Sequence, residues 1–107
     1  MSLDVSLIAV RPVEVYARNI THNLNKMAEE AGIYQHLWRP EELGIETAHE
    51  LIEPLAGGLA RLLKDPDHYR KFDAANGWGV YDDFVPFVKQ YLDACIANPD
   101  AKIEISR

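Results

Sequence analysis

The stretch LDVSLIAVRPVEVYAR, residues 3–18, decides the fold. Val5, Leu7, Ala9, Val13, Val15 and Ala17 are all odd-numbered, so the side-chain period of two in a strand sets them on one face. Arg11 and Pro12 interrupt the run without shifting that parity. A two-residue hairpin loop needs positive φ, which neither Arg nor Pro readily supplies. The stretch therefore reads as one long, bent strand in preference to a hairpin, with Pro12 at an edge or a bulge because it has no N–H for a ladder. Glu14, Tyr16 and Arg18 then mark its exposed face.

The far end of the chain supplies a partner. In AKIEISR, residues 101–107, Ile103 and Ile105 alternate with Lys102, Glu104 and Ser106, the pattern of a half-buried strand. A two-stranded ribbon is marginal alone and needs helices across one face. Three segments provide them. In 22–31, Leu24, Met27, Ala28 and Ala31 keep helical spacing, with Gly32 as a left-handed C′ residue and Ile33 after it in a Schellman close. In 47–64, Ala48, Leu51, Ile52, Leu55, Leu59, Leu62 and Leu63 form one stripe that passes Pro54 and the Gly57–Gly58 pair. From 81 to 96, Tyr81, Phe84, Val85, Val88, Tyr91, Leu92, Cys95 and Ile96 form another. Asp82 or Asp83 as N-cap would set Pro86 in or beside the first turn, where its missing N–H matters least. YQHLW, PEELG and DPDHYRKFD are short turns between these elements. The prediction is a single α+β domain over 1–107: a small antiparallel sheet of the N- and C-terminal strands packed on three main helices.

Composition narrows the function classes. A net charge of −6 and a pI near 5.1 leave no cationic face of the kind that displaces counterions from a phosphate backbone, so nucleic acid is not an expected partner. No run of apolar residues is long enough to cross a membrane, and MSLDVSLIAV has no basic n-region. With one cysteine, Cys95, on an apolar helical stripe, a buried thiol and a cytoplasmic setting are expected. The edge of a small sheet invites pairing with another chain, so a homo-oligomer or another protein is the expected partner.

Most catalytic patterns are missing. His22, His36, His49 and His68 never show the four-residue helical spacing of a ligand pair, and HELIE at 49–53 lacks the second histidine of a zinc-protease signature, so no metal and no cofactor is expected. The acid pairs Glu29/Glu30, Glu41/Glu42 and Asp82/Asp83 are adjacent, and neighbours on a helix diverge by about 100°. Two stretches remain. NITHN, residues 19–23, crowds Asn19, Thr21, His22 and Asn23 at a helix start, where Asn19 or Thr21 as a cap is the leading reading and an anion site the second. NGWGVY, residues 76–81, is a glycine-flanked turn. Trp78 either plugs the core or joins Trp38, Tyr34 and Tyr81 in an aromatic wall, with Asn76 beside it.

NITHNLNKMAEEAGIY, LWRPEELG, NGWGVY, YLDAC and PDAKIEISR, spread over residues 13–107, resemble a small family of bacterial and phage proteins with ITHNLxxMAxxAGIY and NGWGxY motifs. The resemblance implies kinship and brings no activity, cofactor or catalytic residue with it. From the residues themselves, a non-enzymatic protein-interaction or assembly module is the leading expectation. The alternative is a small-molecule-binding protein or enzyme using the Asn19, His22 and Asn23 helix start near Trp78.

Overall fold

The computed structural model describes residues 1–11 and 13–107. Strand β1 (Ser2–Ile8) pairs antiparallel with β2 (Glu14–Thr21) on one side and with β3 (Lys102–Ser106) on the other, giving the order β2-β1-β3. The N- and C-terminal strands thus pair as expected, but residues 3–18 form a hairpin and not one bent strand. The connection is longer than the two-residue loop that Arg-Pro disfavours. Ala9 N–H donates to the Val13 carbonyl at 2.9 Å, closing it without any positive φ outside glycine among the described residues. The role expected of Pro12 lies outside the described residues.

Reversal of the chain also reverses the parity. Leu3, Val5 and Leu7 of β1 are fully buried, and they stand opposite Ile20, Arg18 and Tyr16, so these three residues of β2 turn toward the helices. A bulge at Val15 then lets Glu14 pair with Ile8 after Tyr16 has paired with Leu7. Val13 and Val15, read as core residues, are 57 % and 40 % exposed. Tyr16, read as exposed, stacks on Tyr91 with ring centroids 5.8 Å apart.

The helical layer begins with a 3-10 turn, His22–Leu24, that runs into α1 (Asn25–Glu30). Gly32, at φ 78°, is the left-handed residue that closes it. Gly32 N–H donates to Glu29 O and Ile33 N–H to Ala28 O, the two bonds of a Schellman motif. Next come α2 (Tyr34–Trp38) and a 3-10 turn at Pro40–Leu43. Helix α3 (His49–Lys64) buries Leu51, Leu55, Gly58 and Leu62, and the short α4 (Pro66–Arg70) follows with Asp65 as its cap.

Helix α5 (Tyr81–Ala97) starts earlier than Asp82 or Asp83, so Pro86 lies inside it. Its N-cap residue, Val80, has no side-chain oxygen; instead Asp73 Oδ1 accepts the Tyr81 N–H at 2.7 Å from outside the helix. Helices α3 and α5 pack on each other and, with the sheet, enclose one core around Trp38, Phe84, Phe87 and Tyr91. Leu63 and Ile96, read as members of the apolar stripes, are more than half exposed.

The sheet has two edges of different character. Ile103 N–H on β3 donates to Glu46 O at 3.0 Å, Ala48 N–H donates to Ala101 O at 2.9 Å, and Thr47 bridges Lys102, so β3 is partly covered. Among the described residues no strand pairs with the outer side of β2. No described helix is long and apolar enough to cross a membrane.

Candidate functional site

At the junction of β2 with the first helical turn, Thr21 takes an extended conformation (φ −69°, ψ 145°), and its Oγ1 accepts the Asn23 N–H at 3.3 Å. Thr21 is therefore an N-cap. Asn23 reaches across the chain: its Nδ2 donates to the Trp78 carbonyl at 2.8 Å. Asn76 Oδ1 in turn accepts the Trp78 N–H at 3.0 Å, and Ala74 N–H bonds to Gly79 O at 3.0 Å. Gly79 is required here, because at φ 107° a Cβ would lie 2.9 Å from the Asn23 Cβ and 3.0 Å from the Thr21 Cγ2. The two stretches singled out in the sequence are thus bound to one another, and Trp78, instead of plugging the core, stands out 71 % exposed.

Asn19, Thr21, His22, Asn23, Asn76 and Trp78 line one open depression of about 750 Å³. Trp38 and Tyr81 do not reach it. Trp38 is 2 % exposed, stacked on Tyr34 at 5.3 Å and met edge-on by His22 at 6.0 Å. Tyr81 is buried, donates its OH to Leu62 O at 2.8 Å and carries the Arg70 guanidinium 4.6 Å over its ring. Of these six side chains, three are committed: Thr21 to the cap, and Asn23 and Asn76 to the loop. His22 Nε2 is shielded from solvent with no hydrogen-bond partner among the described residues. The Asn19 amide and the Trp78 ring line the depression together with Met1, Ser2 and Ile20, a surface that can bind by hydrogen bonds and stacking.

A second depression, of about 780 Å³, was not signalled by any motif. It runs along α3 past His49, Glu53, Gly57 and Arg61, which repeat every fourth residue and so share a helix face. Arg61 Nε donates to the α1-terminating carbonyl of Ala31 at 2.8 Å. Its guanidinium occupies the room left by Gly32 and Gly57, where a Cβ would stand 3.1 and 3.4 Å from its terminal nitrogens. Opposite, His36 has its pKa lowered by burial and then by the positive charge of Arg61. Glu50 is held below the usual carboxylate range because it accepts from the Glu46 and Thr47 amides and the Thr47 hydroxyl. Glu50 is thereby a clasp at the entry to α3.

Among the described residues no three His, Cys, Asp or Glu side chains gather as a metal site would require. Cys95 is buried, and that burial pushes its thiol up to about 12, far from the range of a nucleophilic thiolate. Comparison of the chain with protein-family models, with curated proteins and with solved structures finds no match.

Proposed function

We propose that this protein is a non-enzymatic interaction or assembly module whose contact surface is the outer edge of β2 together with the hairpin tip. The observation that carries this reading is the coincidence of a strand with one unpaired edge and exposed apolar side chains at its hairpin end: Val10, Val13 and Val15 are 85 %, 57 % and 40 % exposed. An open strand offers main-chain donors and acceptors to an extended partner, and neighbouring apolar side chains give the contact its selectivity. The resemblance to the bacterial and phage family adds no activity to this proposal. Chemical cross-linking in extract tests it. The reading expects a discrete cross-linked species, with itself or another protein, that disappears in Val13→Asp/Val15→Lys. A wild type that stays uncross-linked, or a species unchanged in the variant, refutes it.

The second reading, a small-molecule binder, draws on the depression shared by Asn19, Asn76 and Trp78. Its test is a thermal-shift screen of metabolites on the wild type and on Asn19→Ala. Asn19 is exposed and makes none of the cap or loop bonds, so its loss leaves the fold alone. A melting point raised by mass action in the wild type only would favour this reading over the first.

A further inference from the structure

We infer that Asn76 is a modification site: in the folded chain its side-chain amide condenses with the Gly77 nitrogen, expels ammonia and hydrolyses to an iso-aspartyl residue that unlatches Trp78. The inference is independent of both functional readings, because it concerns the covalent chemistry of the chain itself.

The reaction balances between the chain and water. The Gly77 nitrogen attacks Asn76 Cγ, and the new C–N bond closes a succinimide ring. The Gly77 amide proton passes through solvent base to the leaving nitrogen, which departs as ammonia. Water then opens the ring at either carbonyl, giving aspartate when the bond to Cγ breaks and iso-aspartate when the main-chain bond breaks.

The structure holds the reacting atoms in order. Trp78 N–H donates to Asn76 Oδ1 at 3.0 Å, so Asn76 heads an Asx turn, a ring that imitates a backbone turn with Cγ in the place of a carbonyl carbon. In such a ring Cγ is folded over the nitrogen of the following residue, which is the approach that attack requires. The same hydrogen bond draws electron density from the Cγ–Oδ1 bond and supports the negative charge that develops on Oδ1. Gly77 supplies the other half. At φ 77° a Cβ there would find nothing within 4 Å, so no side chain and no neighbour shields the nitrogen. Asn76 and Gly77 are both exposed, and water and base reach them. One contact opposes the reaction: Gly77 N–H donates to Ala74 O at 3.0 Å. That bond lies in the peptide plane, whereas attack uses nitrogen density above the plane, and proton loss needs only the brief openings common in surface loops.

Among the described residues no other asparagine meets these conditions. Asn23 gives its amide to Trp78 O and precedes Leu24. Asn98 donates to Ala94 O and precedes Pro99, which has no N–H to give up. Asn19 lies in β2 before Ile20, and Asn25 in α1 before Lys26. The product has a structural consequence. Iso-aspartate inserts a methylene into the main chain beside Gly77 and removes the arm that held the Trp78 N–H. The bond from Ala74 N–H to Gly79 O must then close a longer loop, and a new carboxylate stands beside the exposed indole.

The test incubates the purified chain at mildly alkaline pH. Peptide mapping by mass spectrometry, ammonia release and methyl acceptance from an iso-aspartyl methyltransferase follow the product. Residue 76 should convert at least about tenfold faster than any other asparagine, the advantage of a held approach. Conversion should slow on acidification, because the nitrogen must give up its proton. Asn76→Ser, whose hydroxyl can still accept the Trp78 N–H, should keep the circular dichroism of the wild type and lose the product entirely. The folded chain should convert at least as fast as the chain unfolded in guanidinium chloride, since the turn supplies a geometry that a loose chain must find. The converted fraction, separated by its added charge, should show lower anisotropy of Trp78 emission. An Asn76 that stays intact when folded while reacting when unfolded overturns the inference, as does product spread evenly among the asparagines. Converted protein whose Trp78 is held as firmly as before overturns it too.

Discussion

Adjacent glycines in α3 should respond to the same substitution with opposite sign. Gly57 and Gly58 lie inside the helix, where alanine is favoured over glycine by about 1 kcal/mol. At Gly57 an added methyl meets only the flexible end of Arg61, at 3.4 Å, so Gly57→Ala should keep much of that gain, about 0.5 kcal/mol. At Gly58 it would stand 2.5 Å from Cγ2 and 3.0 Å from Cδ1 of Ile33, which is fully buried just beyond the Schellman turn. Overpacking of this kind costs about 1–3 kcal/mol, and at 2.5 Å the upper half applies, leaving Gly58→Ala about 1–2 kcal/mol less stable. At about 4 °C per kcal/mol for a chain of this size, the two variants should melt about 6–10 °C apart, on opposite sides of wild type. Urea unfolding gives the free energies, and Ile33→Ala completes a double-mutant cycle in which Gly58→Ala should turn from destabilising to stabilising, a coupling of about 2–3 kcal/mol. If Gly58→Ala stabilises as much as Gly57→Ala, or if the cycle is additive, the close seating of α3 on residue 33 is wrong.

Removing the loop clamp with Asn23→Ala should cost about 1 kcal/mol in urea unfolding, the net worth of a typical hydrogen bond, and should lower the steady-state anisotropy of Trp78 emission as residues 76–79 loosen. His36 has a folded pKa below its unfolded one, so the unfolded chain takes up its proton first. Stability should be complete above about pH 6.5 and fall as the pH drops toward the folded value, a slope that His36→Gln flattens in pH-dependent melting curves. Cys95, buried with its thiol raised to about 12, should be inert to a thiol-titrating disulfide in the native state and react fully in denaturant. Tyr81→Phe deletes the donor to Leu62 O and leaves a buried carbonyl alone, which should lower stability by about 1–2 kcal/mol by calorimetry.

The helices and the pairing of the chain ends were legible because each is written in local periodicity. The Gly32–Ile33 close needs only glycine after an apolar stripe, and it is present bond for bond. The hairpin is hidden for a specific reason: Arg-Pro is unsuited to a two-residue turn but not to a longer connection, and unbroken parity over 3–18 then sets Tyr16 and Arg18 on the exposed face, although they stand opposite the buried Leu7 and Val5. The start of α5 was hidden because its cap, Asp73, is supplied by tertiary contact, which no window around Asp82 can reveal. In the candidate site, Thr21 as a cap was readable from residue type, and the union of Asn23 with Trp78 was not, since it joins segments brought together only by the fold. The Arg61 depression was equally silent, because the two glycines that seat the guanidinium read in sequence as a bend.

The central place of β1 has a consequence for how the molecule is made. Its two neighbours are encoded at opposite ends of the process: β2 follows within a few residues, whereas β3 leaves the ribosome only after every helix has been translated. Until then a nascent chain carries Leu3, Val5 and Leu7 on a ribbon open on both flanks, the kind of exposed strand that chaperones bind and that wrong partners extend. Completion of the sheet therefore waits on the emergence of Ile103 and Ile105.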